Sequence, residues 1–204
     1  PVVLLQVRDK AALQLRQGLQ DLFDNADDML FEMADKASDR GDQNLYFEAM
    51  RDLRLKRKSI ERGFLDTFHD AFLRAGQVDL LANLVETGNP RSKAQMERAA
   101  AIEGMVARVL SRDGIALQQL GLRLQALLDR PLYEQHNPLG PAALCRYFLE
   151  AGRNLGVGLR VKLVLLKLFE RYVLRDADVI YGEANQLLAA AGEQLPGQLG
   201  LLGE

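Results

Sequence analysis

The side chains best suited to chemistry in this 204-residue chain are two histidines, one cysteine and a row of carboxylates. On a helix, Asp21, Asp24, Asp28, Glu32 and Asp35 recur every three or four residues and fall within roughly 80° of arc. Carboxylates converging inside a bundle hold paired metal ions, but such centres draw Glu-x-x-His pairs from two facing helices. Here Asp66 stands three residues before His69, while Tyr133 stands three before His136, so no second acid–histidine pair exists. The histidines and Cys145 are far apart and lack metal-ligand spacing. His69 reads as a helix-surface or satisfied core residue. Cys145, between Leu144 and Arg146, reads as a small core residue rather than a nucleophile. There is no Gly-rich phosphate loop and no nucleophile elbow. The expectation is a protein with no catalytic residues, no metal and no cofactor, and so not an enzyme.

A second charged row, Arg51, Arg54, Lys58 and Arg62, offers an alternative site for anions or nucleic acid. Nucleic-acid surfaces usually add further basic elements or stacking aromatics, and neither accompanies this row. A formal net charge of -2 also argues against a dedicated nucleic-acid binder. A cyclic dinucleotide would need arginines plus a shaped pocket, for which no motif is present.

The elements that must position these residues are helical. Apolar residues at helical spacing (Leu19, Leu22, Phe23, Ala26, Leu30, Met33, Ala37) predict a first helix over about 9–37. The segment 38–42 reads as a turn, with Gly41 in the left-handed conformation and Asp42 capping the second helix. That helix, over about 43–75, carries the seam Tyr46, Met50, Leu53, Arg57, Ile60, Phe64, Thr67, alternating four and three as a heptad does. Two long helices with a short connector predict an antiparallel αα-hairpin. Beyond it, the expected elements are a short helix over 78–85, a loop over 86–91 and a helix over 93–110. Next come a break at 111–114, a helix over 115–128 and a proline-rich turn over 129–141. A helix from Pro141 to about 154 and a last helix over 159–191 complete the set. The fold class is all-α, a helical bundle built around a long antiparallel αα-hairpin. The hairpin is assigned to residues 1–76 and the bundle packing on it to 77–204. They form one continuous helical domain with a flexible tail over 195–204.

No apolar run reaches the roughly 18–20 residues that span a bilayer. A single cysteine forbids an internal disulfide and fits a reducing compartment, so a cytoplasmic location is expected. The chain begins at Pro1 without methionine, which suggests a piece of something longer.

Three stretches resemble one proteobacterial family. They are Leu22-Phe23-Asp24-Asn25-Ala26-Asp27-Asp28; Gln43-Asn44-Leu45-Tyr46-Phe47 with Arg51 and Leu55-Lys56-Arg57-Lys58; and Asn137-Pro138-Leu139-Gly140-Pro141 followed by Leu163 to Arg171. Together they are similar to the N-terminal region of the domain-of-unknown-function family numbered 1631. The resemblance implies a longer parent protein whose far C-terminal part resembles a small PilZ-like barrel. It supplies no activity and no functional residue.

The acidic row lies nearly opposite the first helix's apolar seam, and the basic row roughly 120° from the second's. With the seams together, Arg54 would stand level with Asp28 and Lys58 with Asp24, but the rows would point apart. They are then two solvated faces, or surfaces that meet another protein or a second copy; direct pairing within the hairpin is the third reading. Phe31, at the edge of the acidic row, is either a binding anchor or covered by another helix. Arg57, in the seam, is expected to reach water or an ion-pair partner. The leading expectation is a non-enzymatic interaction or assembly module of a larger bacterial regulatory protein. Its partner-binding residues would be Asp21, Asp24, Asp28, Phe31, Glu32 and Asp35.

Overall fold

The computed structural model describes residues 2–75 and 92–192. The expected short helix at 78–85, the loop at 86–91 and the tail at 195–204 lie outside the described residues. Six α-helices make up the described fold: α1 (Val2–Lys36), α2 (Arg40–Ala75), α3 (Lys93–Leu128), α4 (Pro141–Ala151), α5 (Leu159–Tyr172) and α6 (Ala177–Ala190). Short 3-10 turns precede α4 (Glu134–His136) and α6 (Leu174–Asp176). No strand occurs among the described residues, so the architecture is an all-α bundle.

α1 packs along α2 over its most extensive contact and turns other faces to α5 and α6. α2 also packs on α4, and α3 runs against α4, α5 and α6. One apolar core joins all six helices, from Leu4 of α1 to Leu188 of α6. The α1 seam is longer than expected. Leu4, Val7, Ala11 and Leu15 extend it toward the N-terminus, so the helix begins at Val2 rather than near Asp9. In the α2 seam Tyr46, Met50, Leu53, Ile60 and Phe64 are buried, while Arg57 and Thr67 sit at its edge.

The hairpin turn differs from expectation. Asp39, not Asp42, caps α2: its Oδ1 accepts the Gly41 amide at 2.9 Å, and its carbonyl accepts that of Gln43 at 3.0 Å. Gly41 lies in the first turn of α2 without positive φ; among the described residues only Asp129 and Gly192 have one.

α3 is continuous where a break was expected. Turn-forming residue types at 111–114 are held in the helix by tertiary partners. Arg112 donates to the Asp113 carboxylate at 2.9 Å and to the Leu174 carbonyl at 2.8 Å, and Asp113 is buried. The α3 N-terminus carries a complete capping box between Ser92 and Gln95. Conversely, the single helix expected over 159–191 is broken at Val173. Tyr172 lies against Gly18 of α1, where a Cβ would stand 2.6 Å from the Tyr172 carbonyl oxygen. The ladder tightens there into a 3-10 turn, and the Leu174 carbonyl accepts both the Ala177 amide and the Arg112 guanidinium, the latter at 2.8 Å.

The Asn137–Pro141 segment is a buried knot. The Asn137 side chain accepts the Leu139 amide at 3.0 Å. Tyr147 of α4 donates to the Pro138 carbonyl at 2.9 Å and Tyr181 of α6 to that of Leu139 at 2.8 Å. Pro141 opens α4, where a missing N–H costs nothing. Phe148 of α4 stacks on Phe169 of α5 with centroids 4.5 Å apart, so α4 is tied to both neighbours.

Candidate functional site

The outer face of the α1–α2 hairpin carries most of the residues that the sequence singles out. Ion pairs fix its register: Asp27 with Arg54, Asp24 with Arg57, and Glu61 with Arg16, α2 numbers rising as α1 numbers fall. Arg54 holds the Asp27 carboxylate with both ends of its guanidinium, Nη2 at 2.8 Å. That charge-assisted pair lowers the Asp27 carboxyl below its usual range, the hydrogen bond being the main cause.

Among the described residues no member of the acidic row pairs with a member of the basic row, yet each row is bridged to the opposite helix. Arg54 does reach α1, but meets Asp27 rather than Asp28. Asp24 is reached by Arg57 at 3.0 Å rather than by Lys58. The reason is that Asp27 and Arg57 stand at the seam margins and lean outward, so each row meets the edge of the opposite seam. Arg57 takes the ion-pair course expected of it, and its guanidinium also lies 5.4 Å from the Phe23 ring centroid.

The acidic row itself is open to solvent. Asp24, Asp28, Glu32 and Asp35 are exposed and Asp21 half-buried. Asp21 accepts from Gln17 at 3.1 Å, and Glu32 pairs with Lys36 at 2.6 Å, which lowers its carboxyl. Asp28 makes no ion pair among the described residues. Phe31 stands in this row with 56% of its surface exposed. No described helix covers it, and its ring makes a T-shaped contact with that of Phe47 of α2, centroids 6.2 Å apart.

The basic row is also exposed. Arg51, Lys58 and Arg62 make no ion pair among the described residues. Leu55 stands at its centre with 79% exposure, on the same helical face as the three cations. Asp27, Phe47 and Leu55 belong to the face but were not singled out from sequence. Phe47 and Leu55 both fall off the heptad seam; Phe47 is partly buried against the core edge, whereas Leu55, 79% exposed, is an apolar residue with no core to join.

The remaining candidates, Cys145 and His69, lie away from the hairpin's charged face. Cys145 is fully buried, and burial, with the Glu170 charge second, pushes its thiol up to about 12. His69 is half-buried beside Phe68, ring centroids 5.8 Å apart, and its buried Nε2 has no hydrogen-bond partner among the described residues, so it is neither a surface residue nor a satisfied core one. Among the described residues no group of three or more His, Cys, Asp and Glu side chains is placed to hold a metal ion. None of the described helices is long and apolar enough to cross a membrane.

The described residues thus define an all-α bundle that presents a charged hairpin. The chain belongs to the family described as Protein of unknown function (DUF1631) N-terminal domain, whose family model matches residues 1–192. Neither a curated protein nor a solved structure matches the chain.

Proposed function

We propose that the chain is a non-enzymatic protein-interaction module of a larger regulatory protein, engaging a protein partner through the outer face of its hairpin. The observation that carries this reading is Phe31. A phenylalanine more than half exposed, set among Asp28, Glu32 and Asp35 and backed by Phe47, is an apolar anchor ringed by charge. Exposed Leu55 among Arg51, Lys58 and Arg62 gives the second row the same composition with opposite charge. A leucine offers bases no stacking surface, which favours a protein over a nucleic acid there as well.

The test is affinity capture with the wild-type chain, with Phe31→Ala, and with Asp24→Lys plus Asp28→Lys. Proteins held by the wild type should be lost from both variants, whose helical content stays intact. Equal recovery by all three chains overturns the acidic face as the docking surface. Light scattering at rising concentration asks whether the partner is a second copy. Salt-titrated binding to RNA and DNA tests the alternative use of the basic row. Micromolar affinity that falls steeply with salt would replace the protein-partner reading.

A further inference from the structure

We infer a second, independent site: a pocket that takes a single aliphatic chain of about ten carbons ending in an anionic head. A cavity of about 280 Å³ opens where α1, α2, α4 and α5 meet the first turns of α3. Phe23, Ile60, Phe148 and Leu166 give it apolar walls. Three cations, Arg98 of α3, Arg153 after α4 and Lys162 of α5, also line it, and no Asp or Glu among the described residues does. In a chain with 28 acidic residues against 26 basic ones, an all-cationic lining is a local inversion of charge. Arg153 pairs with Glu150 at 2.7 Å, both largely exposed, whereas Arg98 and Lys162 have no carboxylate partner among the described residues.

An apolar pocket with a few convergent polar groups is the usual form of a small-molecule site. The walls select an apolar body and the cations an anion. Size narrows the class further. A dry cavity of ~150 Å³ accepts benzene, so this one holds about twice as many non-hydrogen atoms, roughly those of decanoate.

The pocket also has a fastened edge. Residues 152–158, which link α4 to α5 and supply Gly152, Arg153 and Leu155 to the lining, are tied across α2. The Gly156 amide donates to the Asp52 carboxylate at 2.9 Å, and Lys56 donates to the Asn154 carbonyl at 2.8 Å. Lys56 and Asp52 pair at 2.9 Å, and these contacts hold the Asp52 carboxyl below its usual range, Lys56 first and the Gly156 amide second. The backbone that carries Arg153 and Leu155 is therefore fastened at the pocket's edge before any ligand arrives, which limits the ordering cost of binding.

The experiment is calorimetric titration of the full 204-residue chain with decanoate, and with decanol as its uncharged counterpart. Decanoate should saturate one site, and decanol should bind at least tenfold more weakly. Arg98→Glu plus Lys162→Glu should weaken decanoate at least tenfold. Arg153→Glu, at an exposed linker position, provides the same readout without altering a helix. Absence of saturable decanoate binding overturns the proposal. So does equal affinity for decanol, or unchanged affinity in the charge-reversed chains. None of these outcomes bears on capture of a protein by Phe31, because that residue does not line the pocket.

Discussion

A Cβ placed on Gly18 of α1 would stand 2.6 Å from the carbonyl oxygen of Tyr172 and 3.2 Å from a Val173 methyl. The glycine lets α1 pass against the backbone at the point where α5 ends. Helix propensity alone would favour alanine there by about 1 kcal/mol, but the obstruction is backbone and cannot swing aside. Gly18→Ala should cost about 1–3 kcal/mol, as overpacking does. Thermal melts followed by circular dichroism check it, with Tm lower by roughly 2–10 °C. An unchanged or higher Tm would mean that the α1–α5 approach is looser than described.

Gly114 predicts the opposite sign for the same substitution. It lies inside α3, and nothing stands within 4 Å of an added Cβ. Gly114→Ala should stabilise the chain by about 0.5–1 kcal/mol, chiefly by restricting the unfolded state. Denaturant midpoints of the two alanine variants should therefore move in opposite directions.

The Tyr181 hydroxyl is buried and donates to the Leu139 carbonyl. Tyr181→Phe should cost about 1–2 kcal/mol, because the carbonyl it leaves behind stays buried. Urea unfolding measures the loss. Tyr133→Phe, at a residue 65% exposed, should change stability by less than about 0.5 kcal/mol and serves as the control.

Cys145 makes stability depend on alkaline pH. Its thiol ionises near 9.0 when exposed but only near about 12 in the folded chain, since burial opposes the thiolate. A folded-state value above the unfolded one means that the contribution is whole below pH 9 and is lost as pH rises toward 12. The slope approaches about 1.4 kcal/mol per pH unit. Cys145→Ala should flatten the stability curve above pH 9 relative to the wild type. In the native chain at neutral pH, a thiol reagent should label Cys145 only as fast as the bundle opens. Rapid labelling without unfolding would place the thiol near the surface.

The hairpin was legible in the sequence because its determinants are local. The seam from Tyr46 to Phe64 repeats on one helix, and few residues intervene between α1 and α2. The break at Val173 was not legible, since no glycine or proline marks it. The residues that meet it, Gly18 and Arg112, are remote in sequence and adjacent only after folding. The continuity of α3 through Gly114 was hidden for the same reason, its turn-like residues being held by Asp113 burial and the Arg112 contact to Leu174. At the candidate face, the types and arc of the charged residues were readable from spacing. Which acid meets which base was not, because Arg57 and Asp27 escape the seam by side-chain reach. The pocket had no sequence signal at all, for Arg98, Arg153 and Lys162 come from three separate elements.

The knot at Asn137–Pro141 has a consequence for how the chain completes itself. One of its carbonyls is answered from α4, directly downstream, and another from α6, near the end of the matched family region. Until α6 docks, the Leu139 oxygen must stay wet, and the segment around residues 137–141 cannot close. A chain cut before Ala177 should therefore lose order around residues 137–141 as well as the missing helix, and no folding unit can end between α5 and α6.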